Sequence, residues 1–210
     1  MNNLNSLGII GLGTMGSALS ENLMNNKISI SVFNRENENE KMVVKNFIKK
    51  NKKFKFLKGY SNLFQFINSL KKPRNIILLI PPGKIIDTLI KDLIPILERN
   101  DLIIDCGNSF YKDSIKREKL LKKSKIEFLD CGISGGEEGA RHGPSLMIGG
   151  NKKNFKRIFP FFNKISAKDL LNIECCAYMG GIGSGHFVKM IHNGIEYGEM
   201  QLIVETFSIL

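Results

Sequence analysis

Gly11-Leu12-Gly13-Thr14-Met15-Gly16 follows the apolar run Leu7–Ile10 and precedes the helix-like stretch Ser17–Met24. The spacing is G-x-G-x-x-G, and a strand before it with a helix after it is the context in which that spacing holds a dinucleotide. The first glycine permits the tight turn, the second lets the backbone approach a pyrophosphate, and the third lets helix and strand pack closely. The free N–H groups of the helix's first turn then face the phosphates. A glycine-rich turn with no ligand is the plainer reading of the same residues; the flanking strand and helix favour the dinucleotide.

Outward from this loop the alternation continues. Ile28–Phe33 is a β-branched run that predicts a strand, Phe54–Leu57 a weaker one, and Ile76–Ile80 one stopped by Pro81-Pro82-Gly83. Ile85–Leu97 has helical spacing, Leu102–Asp105 reads as a strand, a charged helix runs to Lys123, and Ile126–Leu129 is a further strand. Ser145–Ile148 adds a late strand, followed by a helix around Lys153–Ile165. This rhythm predicts an α/β fold with a Rossmann-like, doubly wound, mostly parallel sheet. From Ser184 to Leu210 there is no proline, and the pattern reads as one long helix. It is apolar on nearly all sides after Met200, which predicts burial. The chain therefore reads as cut inside a second domain.

Composition narrows the class. The 210 residues are 42% hydrophobic and 24% charged, an ordinary globular balance that excludes collagen-like, low-complexity and disordered chains. No apolar run approaches the roughly 18 residues of a membrane-spanning helix. Against 20 acidic residues stand 31 Lys and Arg, for a net charge of +11. Nucleic-acid binders and enzymes for phosphorylated substrates both show such a surplus. The lysines lie in segments such as Lys49-Lys50-Asn51-Lys52-Lys53 without interleaved aromatics, so no base-stacking platform is expected. Cys106, Cys131, Cys175 and Cys176 form no CxxC pair, and Met1–Gly16 lacks the basic start and cleavage site of a signal peptide. A reduced, cytoplasmic protein is the expectation.

Several other segments carry chemistry. At the end of the second strand, where an acidic residue usually holds the ribose hydroxyls of NAD, the sequence has Asn34-Arg35. An arginine there pairs with a 2′-phosphate and favours NADP, whereas Glu36 would repel it. A solvated strand end is the alternative. Asp105-Cys106-Gly107-Asn108-Ser109 lies at the C-terminal end of a strand, the edge where ligands bind, although Asn108 would equally suit an Asx turn. Ser134-Gly135-Gly136-Glu137-Glu138-Gly139 reads as a loop whose exposed N–H groups suit a carboxylate or phosphate. On the long helix, Lys189, His192, Asn193 and Glu196 follow i, i+3, i+4, i+7 and share a face with Tyr197 at its margin. A base, an acid and polar positioning groups on one rigid face make a plausible active site; an exposed amphipathic face is the alternative. His142 and His186 read as loop or capping residues. No His/Cys/Asp/Glu cluster has metal-ligand spacing, and no G-x-S-x-G elbow is present.

Taken together, these segments resemble decarboxylating 6-phosphogluconate dehydrogenase. The most specific matches are Ile133–Met147 and Gly185–Gln201, and the likeness covers essentially the whole chain. The resemblance implies an oxidoreductase of gluconate utilization and the pentose phosphate pathway. It would oxidise 6-phosphogluconate with NADP, giving ribulose 5-phosphate and carbon dioxide. It further implies Lys189 as general base and Glu196 as general acid, with Lys189 made neutral by burial beside another cation. Substrate would be held by Asn108, Ser134, Gly135, Gly136, His192, Asn193 and Tyr197. Cofactor would be held by Gly11, Leu12, Gly13, Thr14, Met15, Gly16, Asn34, Arg35, Glu36, Pro81, Pro82, Gly83 and Asn108, with no metal. Residues 1–180 would form the NADP-binding domain. Residues 181–210 would be the first helix of an all-helical substrate and dimerisation domain, homodimeric in the full-length family, with no nucleic-acid or membrane partner. Two departures stand out: Ile80-Pro81-Pro82-Gly83 replaces Val-Lys-Ala-Gly, and Glu36 replaces the Thr or Ser after Asn-Arg. A related β-hydroxyacid dehydrogenase, or a remnant that only binds dinucleotide, are the competing readings.

Overall fold

The computed structural model describes residues 4–36 and 41–210. Its strands are short, and four of them are buried along their whole length: β1 (Leu7–Ile10), β2 (Ile30–Phe33), β4 (Asn75–Leu78) and β5 (Leu102–Asp105). Successive side chains of a strand point to opposite faces. Leu7 and Ile9 of β1, Ile77 of β4 and Leu102 and Ile104 of β5 enter one apolar core. Ile10, Ile76, Leu78 and Ile103 enter a second core on the other side. A sheet apolar on both faces needs helices on both, as in doubly wound folds.

The helices are α1 (Thr14–Asn25), α2 (Val43–Lys50), α3 (Leu63–Asn68), α4 (Lys84–Leu93), α5 (Tyr111–Lys123), α6 (Gly136–His142), α7 (Lys152–Ile165) and α8 (Ser184–Ile209). The remaining strands are β3 (Leu57–Tyr60), β6 (Glu127–Ser134), β7 (Ser145–Gly150) and β8 (Cys176–Gly180). Eight strands form one sheet in the order β3-β2-β1-β4-β5-β6-β7-β8, parallel except for the antiparallel β6–β7 pair. The order reverses between β1 and β4, and the crevice above that switch point is where such sheets bind ligands.

Several elements differ from the sequence expectation. The third strand lies at Leu57–Tyr60 rather than Phe54–Leu57. It is an edge strand with every residue only partly buried, so it carries little apolar signal. Helix α4 stops at Leu93, short of Leu97, because Pro95 has no N–H with which to continue the helical hydrogen bonds. Residues 136–142, read as a loop, form helix α6. Strand β8 was not anticipated. The apolar second half of α8 is exposed rather than buried: Leu202, Ile203 and Phe207 are 66%, 58% and 77% accessible, with nothing packed over them among the described residues. No helix of the described residues is long and apolar enough to cross a membrane.

One buried amide ties α1 to the later elements. Asn22 Nδ2 donates to the Ala140 carbonyl in α6 (3.1 Å) and to the Ile165 carbonyl at the end of α7 (3.0 Å). Replacement by alanine leaves both buried acceptors without a donor. Asn22→Ala is expected to lower unfolding free energy by about 2 kcal/mol, read from a urea or guanidinium midpoint at unchanged slope.

Candidate active site

The glycine loop is shaped by what its residues lack. Gly11 has φ +102°, and a Cβ there would run into the Leu79 carbonyl. A Cβ on Gly16 would strike the Gly11 carbonyl, so α1 can close on β1 only with glycine at both places. At Gly13 a Cβ would meet nothing within 4 Å. It would instead stand in the open cleft that Gly13 lines. Gly13 is also the N-cap of α1 and offers no side-chain acceptor, which leaves the first N–H groups for a ligand. These are the features of a pyrophosphate cradle, and the residues present fit a dinucleotide.

Asn34 supports this loop: its Oδ1 accepts from Leu12 N at 2.9 Å, and its Nδ2 donates to the Arg35 carbonyl at 3.0 Å. Asn34 is nearly buried and lines a cleft of about 750 Å³ together with Arg35, Glu36, Ser61, Pro81 and Lys84. The Glu36 carboxylate accepts a hydrogen bond from the Ser61 hydroxyl at 2.8 Å. Ser61 and the α4 residues of this cleft were missed by sequence reasoning. The signal lies in the rule that ligands bind beyond strand C-termini, but the sequence pattern puts β3 three residues earlier than the fold does, which hides Ser61.

A second cleft, of about 390 Å³, shares Gly13, Leu79 and Ile80 with the first. Asn108, Ile133, Lys189 and Asn193 line it, along with Thr14–Gly16 and Pro82. Asn108 sits exposed on its rim, and the loop beneath is ordered by Asp105 instead. One Asp105 oxygen accepts from Gly107 N (3.0 Å), the other from Ser109 Oγ (2.8 Å) and Arg117 Nη1 (3.1 Å).

Lys189 is placed by the sheet. Gly132 of β6 leaves a notch, since a Cβ there would lie 2.5 Å from the Lys189 Cβ. The Lys189 Nζ donates to Ser134 Oγ at 2.9 Å. Burial pushes the Lys189 ammonium below its ordinary pKa, and the carboxylate of Glu196 opposes that shift. The expected neighbouring cation is not the cause; the charged neighbour is an acid. Asn193 joins Lys189 in the cleft, whereas His192, Glu196 and Tyr197 stand exposed farther along α8. His192 Nδ1 is 3.2 Å from Asn193 Oδ1 and 3.5 Å from Glu196 Oε2. Gly135 (φ +120°) and Gly136 (φ +61°) form the turn into α6, just beyond Ser134. Pro81 faces the larger cleft, Pro82 the smaller, and Gly83 (φ +89°) caps α4.

The start of α8 is fixed by a buried carboxylate. Asp130 of β6 accepts from Gly183 N (2.7 Å) on one oxygen and from His186 N (2.8 Å) on the other. Burial pushes the Asp130 carboxyl above its usual range, and these two N–H bonds work against that. His186 is neither a loop nor a capping residue: it is 2% exposed inside the first turn of α8. Its Nε2 lies 3.0 Å from the Asp105 carbonyl and its Nδ1 2.8 Å from Ser114 Oγ. A carbonyl only accepts, so Nε2 carries the proton, and in the neutral ring Nδ1 accepts from the serine. His142 lies exposed at the end of α6, 3.5 Å from Glu138. Among the described residues no group of His, Cys, Asp and Glu is arranged to hold a metal ion.

The family model described as the NAD binding domain of 6-phosphogluconate dehydrogenase matches residues 6–181, and that of the 6-phosphogluconate dehydrogenase C-terminal domain matches residues 185–210. The curated decarboxylating 6-phosphogluconate dehydrogenase of Chlamydia pneumoniae is 47% identical over 205 residues, covering 98% of this chain and 42% of that protein. Its counterpart in Schizosaccharomyces pombe is 46% identical over 203 residues, covering 97% and 40%. Plasmodium falciparum 6-phosphogluconate dehydrogenase, solved in its apo form, with its cofactor NADP+ and with its substrate 6-phosphogluconate, matches with a TM-score of 0.89. Its identity is 42%, over 97% of this chain and 43% of that one. Mycobacterium tuberculosis 3-hydroxyisobutyrate dehydrogenase, at 19% identity and a TM-score of 0.82, shares the fold. The chain spans about two-fifths of the length of the curated relatives it matches.

The Asp130 cap is testable without a ligand. In Asp130→Asn the amide keeps one acceptor and turns a donor toward the other backbone N–H. Stability is expected to fall by about 2 kcal/mol, and the Gly183 and His186 amides should exchange faster than those of the sheet. Unchanged stability and protection would contradict the assigned cap.

Proposed function

The chain belongs to the 6-phosphogluconate dehydrogenase family, and from that premise we propose that it acts in the NADP-dependent oxidative decarboxylation of 6-phosphogluconate. The observation that carries the reading is the single cleft in which Gly13, Asn108, Lys189 and Asn193 meet. It sets a phosphate-binding helix start beside a half-buried lysine, which is what hydride transfer from an alcohol requires: a cofactor on one wall and a base on the other.

Gly11–Gly16 would cradle the pyrophosphate, Asn34 would hold that loop, and Arg35 would meet the adenosine end. The bound dinucleotide supplies a hydride acceptor. Lys189, when neutral, takes the proton of the substrate C3 hydroxyl while the hydride leaves C3. Its bond to Ser134 keeps the nitrogen in place until then. The resulting 3-keto acid loses carbon dioxide by breaking its C1–C2 bond; the electron pair forms the C2=C3 bond of an enediol as the C3 oxygen takes back the proton held on Lys189, which accepts it again when C2 is protonated. Glu196, in its acid form, returns a proton to C2, which completes ribulose 5-phosphate. Ser134, Gly135, Gly136, Asn108, Asn193, His192 and Tyr197 would hold the sugar chain and its charged ends. The homodimer implied by the resemblance belongs to the same proposal, supported by the apolar residues that α8 leaves exposed. So does a cytoplasmic setting, which the four free thiols support.

The test is NADPH formation from 6-phosphogluconate by the purified protein. Lys189→Ala is expected to lower kcat by roughly 10²–10⁴ with NADP+ affinity retained. Wild-type turnover in that variant would refute the base assignment.

The pH profile checks the electrostatics. The base works only when neutral, so kcat/KM should rise through the lysine pKa, and burial places that limb below the ordinary lysine range. Glu196 stabilises the ammonium and so raises the limb. Glu196→Gln should therefore shift the limb to lower pH while slowing the step after carbon dioxide leaves. A shift to higher pH would contradict the pairing.

A further inference from the structure

The larger cleft poses a charge problem. The resemblance places a lysine at position 81, but Pro81 and Pro82 stand there and neither has a backbone N–H to offer an anion. Glu36 adds a carboxylate to the opposite wall, and Asp92 of α4 adds another. Without a further cation, Arg35 would face two acids in a cleft meant for a polyanion.

The next side chain along the same wall resolves this. Lys84, the first residue of α4, lines the cleft, and among the described residues it forms no hydrogen bond or ion pair. Gly83 before it, at φ +89°, turns the chain so that α4 starts at the cleft edge. Glu36, meanwhile, is engaged by the Ser61 hydroxyl.

We propose that Lys84 supplies the second cation that faces the phosphates of the bound dinucleotide, in place of a lysine at position 81. The inference rests on the dinucleotide reading above and assigns a specificity-determining residue within it. A flexible four-carbon stem suits such a contact, because the ammonium acts as a point charge and needs no fixed fork geometry. Phosphate charge is present both in the pyrophosphate and in the 2′-phosphate, and the two are separable by ligand.

Calorimetric titration of the purified protein with NADP+ and with NAD+ tests this. Lys84→Gln, at an exposed position, should fold as the wild type by circular dichroism and bind NADP+ about tenfold more weakly. Lys84→Arg should restore most of the affinity, and raising the salt should narrow the gap between wild type and Lys84→Gln. A loss confined to NADP+ places the contact at the 2′-phosphate; an equal loss for NAD+ places it at the pyrophosphate. Either result supports the proposal. Unchanged NADP+ affinity in Lys84→Gln overturns it and leaves the cofactor reading standing. A wild-type protein that binds neither dinucleotide overturns both.

Discussion

The carboxylate of Asp130 joins the sheet to the helix that carries Lys189, and the geometry of the candidate site depends on that joint. Two of the N–H groups that any helix start leaves without partners are satisfied by its two oxygens. Burial of the charge is costly, but the positive end of the α8 dipole favours it there. The backbones are close enough that side chains would intrude: a Cβ on Gly149 would lie 2.6 Å from Gly185 N, and one on Gly185 2.8 Å from the Asp130 carbonyl. One helical turn beyond His186, Lys189 drops into the notch at Gly132. Its reach to Ser134 follows from the cap, the two glycines and the helical rise together.

The antiparallel turn at the end of β6 makes room for this joint. The chain leaves Ser134 through α6 and returns as β7, pairing Ser134 with Ser145 and Asp130 with Gly149. That places a glycine strand beside the carboxylate, where α8 can settle. His186 then extends the connection sideways to β5 through the Asp105 carbonyl and to α5 through Ser114. The Asp105 side chain orders the loop bearing Asn108. The two sides of the smaller cleft are thus referenced to one residue of β5, so the distance between the asparagine and the lysine is set by buried bonds.

Much of this was legible in the sequence, for reasons that differ by element. Leu7–Ile10 and Leu102–Asp105 are buried on both faces, so their apolar runs mark the strands to the residue. The glycine spacing was legible because each glycine answers a separate steric demand. Helix α6 was hidden because three glycines in Gly135–Gly139 read as a loop; the contacts that hold it come from distant residues, Asn22 and the Glu21–Arg141 pair. His186 was hidden because its partners lie 72 and 81 residues away, and local pattern carries no trace of them. Ser61 and Lys84 became visible only when β3 and α4 stood on opposite walls of one cleft. The burial expected for the end of α8 followed its apolar composition, but that half of the helix is exposed, because the described chain offers no surface to meet it.

Lys189 shows why residue type and spacing alone could not settle the electrostatics of the candidate site. Helical periodicity puts Lys189 and Glu196 on one face about 10 Å apart along the axis, but it shows neither the burial of the lysine nor which charge stands beside it. The fold keeps the expected burial and replaces the expected cation with an acid: burial against the Gly132 notch outweighs the Glu196 carboxylate and lowers the lysine pKa. Under the proposed function, a substrate with carboxylate and phosphate groups would bring further negative charge and pull the lysine back toward the ammonium. The same substrate also displaces water from the cleft, and that strengthens the burial effect. In that proposal, the lysine pKa on binding is decided by where those charges sit. Under the proposed function, anionic groups held toward Gly135 and Gly136 would raise the lysine pKa less than a carboxylate seated directly on it. Under the proposed function, the chain's surplus of lysine and arginine helps on one condition: the cations that draw the substrate in must hold its charges away from Lys189.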